Sequence, residues 1–232
     1  MPHTSTVRAA GQSSPRTLSE YSRGARGLIL AAEKLFGEHG IDNVSMRQIV
    51  SAAGQANHYA VQHHFGTKDA LVDAIFTIRM AMMDNKRSEH LAALKTSGDI
   101  TVPNIVSAIF MPLLEAFEEE ERYLFANFTY QILHRNKLQT GSSLKADVPV
   151  YHDAAPAAAK LNNMLKARLP AMPEGVFTTR YRLAVETFLS GLNEHRRIRI
   201  TGTNPYQTEE RFWHEMTQIA LGIFLTPYPP AP

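Results

Sequence analysis

The sequence contains no cysteine. That excludes disulfides, thiolate metal sites and a cysteine nucleophile, and it fits a reducing compartment. Long apolar runs are missing too. The longest uncharged apolar stretch, around Ile105 to Leu114, is too short to span a bilayer and is interrupted by Pro112. The segment from Met1 to Thr17 has no apolar core, so it does not read as a signal peptide. A cytoplasmic protein with no membrane partner is expected. Catalytic signatures are equally scarce. There is no G-x-S-x-G, no phosphate-binding glycine loop and no H-E-x-x-H, and Glu194-His195 lacks the second histidine of a zinc helix. His58, His63 and His64 are five, six and one residues apart rather than the three or four of helical ligands, and no carboxylate or cysteine completes a set. No metal, no cofactor and no enzymatic chemistry are expected.

An excess of one charge is also lacking, since the formal net charge is +2. Its distribution is uneven. Met1 to Lys68 carries seven basic and four acidic residues, so this third is mildly basic while the remainder sits near −1. A basic bias at one end fits contact with nucleic acid there.

What the sequence does have is helical periodicity. It is 44% hydrophobic, enough for one or two domains with a proper core. No strand-like alternation runs beyond a few residues and no segment repeats, so the chain reads as all-α with about nine helices.

The most informative stretch is Ser45 to Lys68, SMRQIVSAAGQANHYAVQHHFGTK. Ser45 is a good N-cap for a helix whose apolar face is Met46, Ile49 and Val50. Ala52 and Ala53 permit a close neighbour, and Gly54 ends the helix where a positive φ is needed. Asn57 can cap a second helix with Ala60, Val61 and Phe65 inward and His58, Tyr59, Gln62 and His63 outward. His64 is expected to pack near the helix end. Gly66 stops this helix and Thr67 caps a third one starting at Lys68. Two short helices joined by a glycine turn are what a helix-turn-helix needs to place its second helix in a DNA major groove.

This stretch resembles the TetR family of bacterial transcriptional regulators. The likeness extends upstream through Leu30, Ala31, Ala32, Leu35, Phe36 and Gly40. Downstream it takes in His64-Phe65-Gly66-Thr67-Lys68, Ala70 and Leu71. One extra residue lies in the turn, among Gln55 and Ala56, and Gln62-His63 stand where the family commonly has a tyrosine pair. The resemblance implies a three-helix DNA-binding domain followed by a larger helical C-terminal domain for ligand binding and dimerisation. It implies a homodimer on a palindromic double-stranded DNA operator, released by a small-molecule effector. The implied DNA-binding residues are Ser45, Arg47, Asn57, His58, Tyr59, Gln62, His63 and Lys68. His58, Tyr59, Gln62 and His63 would meet bases and phosphates, while Ser45, Arg47 and Lys68 would hold phosphates.

The expected division is a basic tail over 1–20, the DNA-binding domain over 21–66, the ligand and dimerisation domain over 67–226 and a tail over 227–232. In the larger domain, Thr67 to Leu94 reads as a long helix with Leu71, Ala74, Ile75, Ile78 and Met82 inward. Thr96 to Asp99 reads as a break, Pro103 as the start of a helix, and Pro112 as a kink in it. Glu118 to Glu121 reads as a solvated turn. Tyr123 to Arg135 is helical, and Lys137 to Ala155 shows no period, as a functional loop would. Helices follow over Pro156–Leu169, Glu174–Ile200 and Thr208–Leu225. Gly191 points to close helix approach. Phe110, Met111, Phe128 and Gln131 are the expected effector contacts, with Asn127, His134 and Arg135 as further polar groups and the 137–155 loop as the entrance. The apolar stripes Tyr181–Leu192 and Phe212–Ile223 are the expected dimer interface. Two alternatives stay open: a helical ligand-binding or enzymatic domain with a vestigial helix-turn-helix, and an effector-independent regulator or an activator.

Overall fold

A computed structural model describes residues 17–138 and 154–228, with backbone alone for 135–138. The regular structure among the described residues is all helical, with no strand. The order is α1 (Arg23–His39), α2 (Met46–Ala52), α3 (Ala60–Phe65), α4 (Lys68–Ser97), α5 (Val102–Phe110), α6 (Pro112–Glu115), α7 (Glu119–Leu138), α8 (Pro156–Lys166), α9 (Glu174–Thr201) and α10 (Glu209–Leu225). One helix beyond the expected nine or so arises at Pro112. Rather than kinking a continuous helix, it begins the single turn α6, because its ring cannot donate to the preceding turn.

The small N-terminal layer is α1, α2 and α3. The body is built by α4 to α10, with α9 lying along α10 and against α7, and α8 wedged on α4 and α5. Two glycines permit close crossings. A Cβ on Gly37 would meet the Leu124 carbonyl oxygen of α7 at 2.9 Å, and one on Gly191 would meet the Met216 side chain of α10 at 2.8 Å. The expectation for Gly191 therefore holds.

α1 is bound to the body as firmly as to its own layer. Phe36 stacks on Phe128 of α7 with ring centroids 6.1 Å apart. Glu33 is buried in a bidentate pair with Arg79 of α4, at 2.6 and 2.7 Å, and Glu121 of α7 accepts from the same guanidinium at 3.3 Å. Burial opposes the Arg79 charge, but the bonds and charge of Glu33, then those of Glu121, outweigh it and hold the group above its ordinary value.

Several expectations need correction. The acidic run is not a solvated turn. Glu119 to Glu121 form the first turn of α7, where the positive helix end favours them, and pair with Arg199, Arg196 and Arg79. α4 runs through Thr96 and Ser97 to a left-handed Gly98, and its inward face continues through Met83 and Leu91, leaving Met82 half-buried. Residues 17–20 are a capped 3-10 turn rather than tail, with Thr17 N–H donating to Glu20 Oε1 at 3.0 Å. The rest of the tail, the larger part of the 137–155 loop, the Arg135 side chain and residues 229–232 lie outside the described residues. Lys137 and Leu138 simply continue α7. No helix among the described residues is long and apolar enough to cross a membrane.

Candidate nucleic-acid interface

Local chemistry shapes the α2–turn–α3 unit. Ser45 forms a full capping box: its Oγ accepts from the Gln48 N–H, while Gln48 Oε1 accepts from the Ser45 N–H at 2.8 Å. At the other end Gly54 takes φ +64°. The Gln55 N–H then donates to the Val50 carbonyl and the Gly54 N–H to Ser51, which is a complete Schellman closure. Gln55, in the lengthened turn, also donates from Nε2 to the Gly24 carbonyl at 2.8 Å, pinning the turn to the start of α1. Ala53 is the alanine at the close approach, its carbonyl oxygen lying 3.9 Å from a Cβ built on Gly27, whereas Ala52 is exposed.

Asn57 does not cap α3 as expected: the N-cap is Tyr59, two residues on, and Asn57 forms an Asx turn ahead of it. Its Oδ1 accepts from the Tyr59 N–H at 2.9 Å, and its carbonyl accepts from Ala60. α3 proper starts at Ala60, so His58 and Tyr59 project from the turn and not from the helix. The extra residue has gone into a longer entry turn. Ala60 and Val61 are buried, and Phe65 is half-buried with its ring 6.0 Å from that of Tyr21. Met46, expected inward, is 41% exposed, because the short α2 starts beyond the edge of α1.

The outward set is brought together. His58, Tyr59, Gln62 and His63 are all exposed, Tyr59 by 73%, and Ser45, Arg47 and Asn57 are exposed on the same layer. His64 is exposed as well, not packed. It meets His63 edge-on at 4.8 Å, and partial burial, then the His63 charge, hold its imidazole below the ordinary range. Ser45 spends its hydroxyl on the cap, donating to Gln48 Oε1 at 2.8 Å. Lys68, half-buried, reaches over the Phe36 ring at 5.8 Å as the first residue of α4, behind the Thr67 cap.

Residues 28–75 match the family described as bacterial regulatory proteins, tetR family. The helix-turn-helix end of the chain is similar to that family. The match supports a DNA-binding transcriptional regulator, and members of the family are regulators rather than enzymes. No curated protein matches the chain.

The four effector candidates do not converge. Phe110 lines a cavity between α4, α5, α7 and α9. Met111 lies in a surface groove with Trp213 and Thr217 of α10. Phe128 is fully buried on Phe36, and Gln131 accepts from the Ile41 N–H at 2.6 Å and donates to the Phe36 carbonyl at 3.2 Å. Phe128 and Gln131 are thus at the junction of α1 with the body, because their helix packs on α1 with that face. Asn127 joins them, reaching the Gly37 carbonyl at 3.4 Å, and His134 bonds its own helix at Tyr130. Sequence reasoning missed Arg87 and Thr129, which do line the cavity. The available signal for Arg87 was a charge on the extended apolar stripe of α4. The dimer stripes are corrected too: Tyr181, Phe188, Leu192, Phe212 and Trp213 are buried within the single chain.

Proposed function

We propose that this regulator is a repressor that binds a palindromic operator as a homodimer and is released by a small, largely apolar effector. In this reading residues 21–66 hold the DNA and residues 67–226 bind effector and dimerise. The observation that carries it is the run of α7 residues one turn apart that leads from the cavity to the DNA-binding layer. Phe125 lines the cavity, Phe128 stacks on Phe36 of α1, and Gln131 holds the carbonyl of Phe36 and the N–H of Ile41. An effector that parts α4 from α7 would shift α1 and the α4 N-terminus that supports α3. It must favour the shifted state, because a ligand with equal affinity for both states changes no population.

Dimerisation would use what α9 and α10 still expose, namely Leu183, Ile219 and Leu225, with half-buried Ile223. A two-fold there would set the α3 helices about 34–36 Å apart, or a multiple, on successive major grooves. The test is selection of binding sites from a random DNA pool with the full chain, followed by sedimentation of the free protein. Enriched inverted half-sites and a dimer are expected. Enrichment of no sequence, or a monomer that binds single half-sites, would contradict the proposal.

A further inference from the structure

The cavity between α4, α5, α7 and α9 is small, about 40 Å³, and its walls are mainly apolar: Met83, Phe110, Phe125 and Phe188 among them. Two of its lining groups are out of place in such a lining. Arg87 is 8% exposed and Thr129 3%. Arg87 donates from Nε to the Ile109 carbonyl at 3.1 Å, in the last turn of α5 where carbonyls run out of intrahelical donors. Its NH1 has no partner, and neither does the Thr129 hydroxyl. An unpaired buried donor on a cation is costly, and two unpaired polar groups on one cavity wall are rare in a native core.

The charge is only partly answered from within. Asp84, one turn earlier on α4, favours the Arg87 charge but spends its two oxygens on the N–H groups of Ala157 and Ala158, at 2.9 and 2.8 Å. It serves as the cap that α8 lacks locally. Burial pulls Arg87 below its ordinary value despite Tyr181 and Asp84.

We propose that this cavity is the effector site and takes an apolar monocarboxylate, aromatic or medium-chain, whose carboxylate accepts from Arg87 NH1 and the Thr129 hydroxyl while its body parts Met83, Phe110, Phe125 and Phe188. The inference rests on the effector reading above and gives it a chemical class. A neutral carbonyl could accept from the guanidinium but would leave its charge unanswered. A dianion would exceed the one positive charge available, which Asp84 already shares.

Trp213 provides the readout. It is the single tryptophan, and its ring lies 6.0 Å from Phe188 on the cavity wall. The experiment titrates the full-length protein with octanoate and 3-phenylpropanoate, beside octanamide and 3-phenylpropanamide, following Trp213 fluorescence. At least one carboxylate should bind roughly tenfold to a hundredfold more tightly than its amide, as loss of a bond to a charged group implies. Arg87→Met should erase that preference, since a buried cation can often be replaced by an apolar group without loss of folding. Thr129→Val should weaken carboxylate binding while keeping the preference. Equal binding of acid and amide, no binding of either acid at millimolar concentration, or a preference that survives in Arg87→Met would each overturn the assignment. DNA binding of the ligand-free protein is measured in parallel. Carboxylate binding without DNA binding would sink the repressor reading and leave the site standing, and the reverse would do the opposite.

Discussion

The DNA-binding layer and the helical body are held in order by different kinds of interaction. In the layer, short-range bonds close most helix ends, Ser22 with Ala25, Ser45 with Gln48 and Gly54 with Ser51, while Gln131 of α7 reaches in at the end of α1. In the body, local caps at Thr67, Thr101 and Thr208 are joined by closures from far away. Asp84 caps α8, Arg87 takes the last turn of α5, and Arg180 donates to the Phe224 carbonyl at the end of α10. Local bonds thus hold the short α2 in shape, whereas a change at α5, α8 or the end of α10 disturbs a second helix of the body.

The largest effect should come where the two regions meet. Glu33→Ala strands the buried Arg79 guanidinium between α1, α4 and α7, with only the more exposed Glu121 left to it. We expect a loss of about 3–5 kcal/mol in chemical denaturation. A loss below about 1 kcal/mol, as for surface pairs, would show that α1 is not clamped to the body.

Asp84→Ala comes next. It removes two bonds from a carboxylate to buried N–H groups, and a loss of roughly 1.5–3 kcal/mol is expected. Hydrogen exchange should show fast opening at α8 first, with α2 and α3 unchanged. Protection lost equally in both regions would break the contrast drawn above.

Ser45→Ala removes a local cap and should cost only about 1 kcal/mol. Its exchange signature should stay within α2. The smallest effect concerns pH. Burial, against the pull of Glu209 and Glu119, holds the His195 imidazole below its ordinary value of 6.5, and Nδ1 is bonded to the Tyr123 hydroxyl at 2.8 Å. The unfolded chain then binds this proton more readily than the folded one. The stability it contributes is present above 6.5 and falls as pH drops through the lower folded value. His195→Gln should flatten that part of the thermal-stability profile, and an unchanged profile would remove His195 from it.

The same contrast explains what could be read from the sequence. Caps and turn glycines act within four residues, so the helix-turn-helix, its outward residues and most helix limits were legible. The Asn57 cap was not, because an Asx turn and an N-cap look alike in sequence until the entry turn is seen. The lining of the cavity was not legible. Phe128 and Phe110 are both buried aromatics in apolar stripes, and only packing decides that one meets α1 and the other a cavity. Arg87 and Thr129 were passed over for the same reason: a lone polar residue on an apolar face shows its purpose only when its neighbours from other helices are in place. The dimer stripes failed by excess, since α9 and α10 need those aromatics for each other.

DNA binding by the exposed α3 surface is the central claim, and it is tested most directly by a salt titration of two variants on selected and scrambled DNA. Lys68 sits at the α4 N-terminus, where it would meet a phosphate. Lys68→Ala should weaken both DNAs alike and, at about 0.9 per contact, make the log–log salt slope of a dimer shallower by roughly 1.8. Gln62→Ala should cost about 1–3 kcal/mol per half-site on the selected sequence alone, with the slope hardly changed, as loss of a bidentate adenine contact requires. Equal losses on both DNAs for Gln62→Ala, or no loss on either, would contradict the placement of α3 in the major groove.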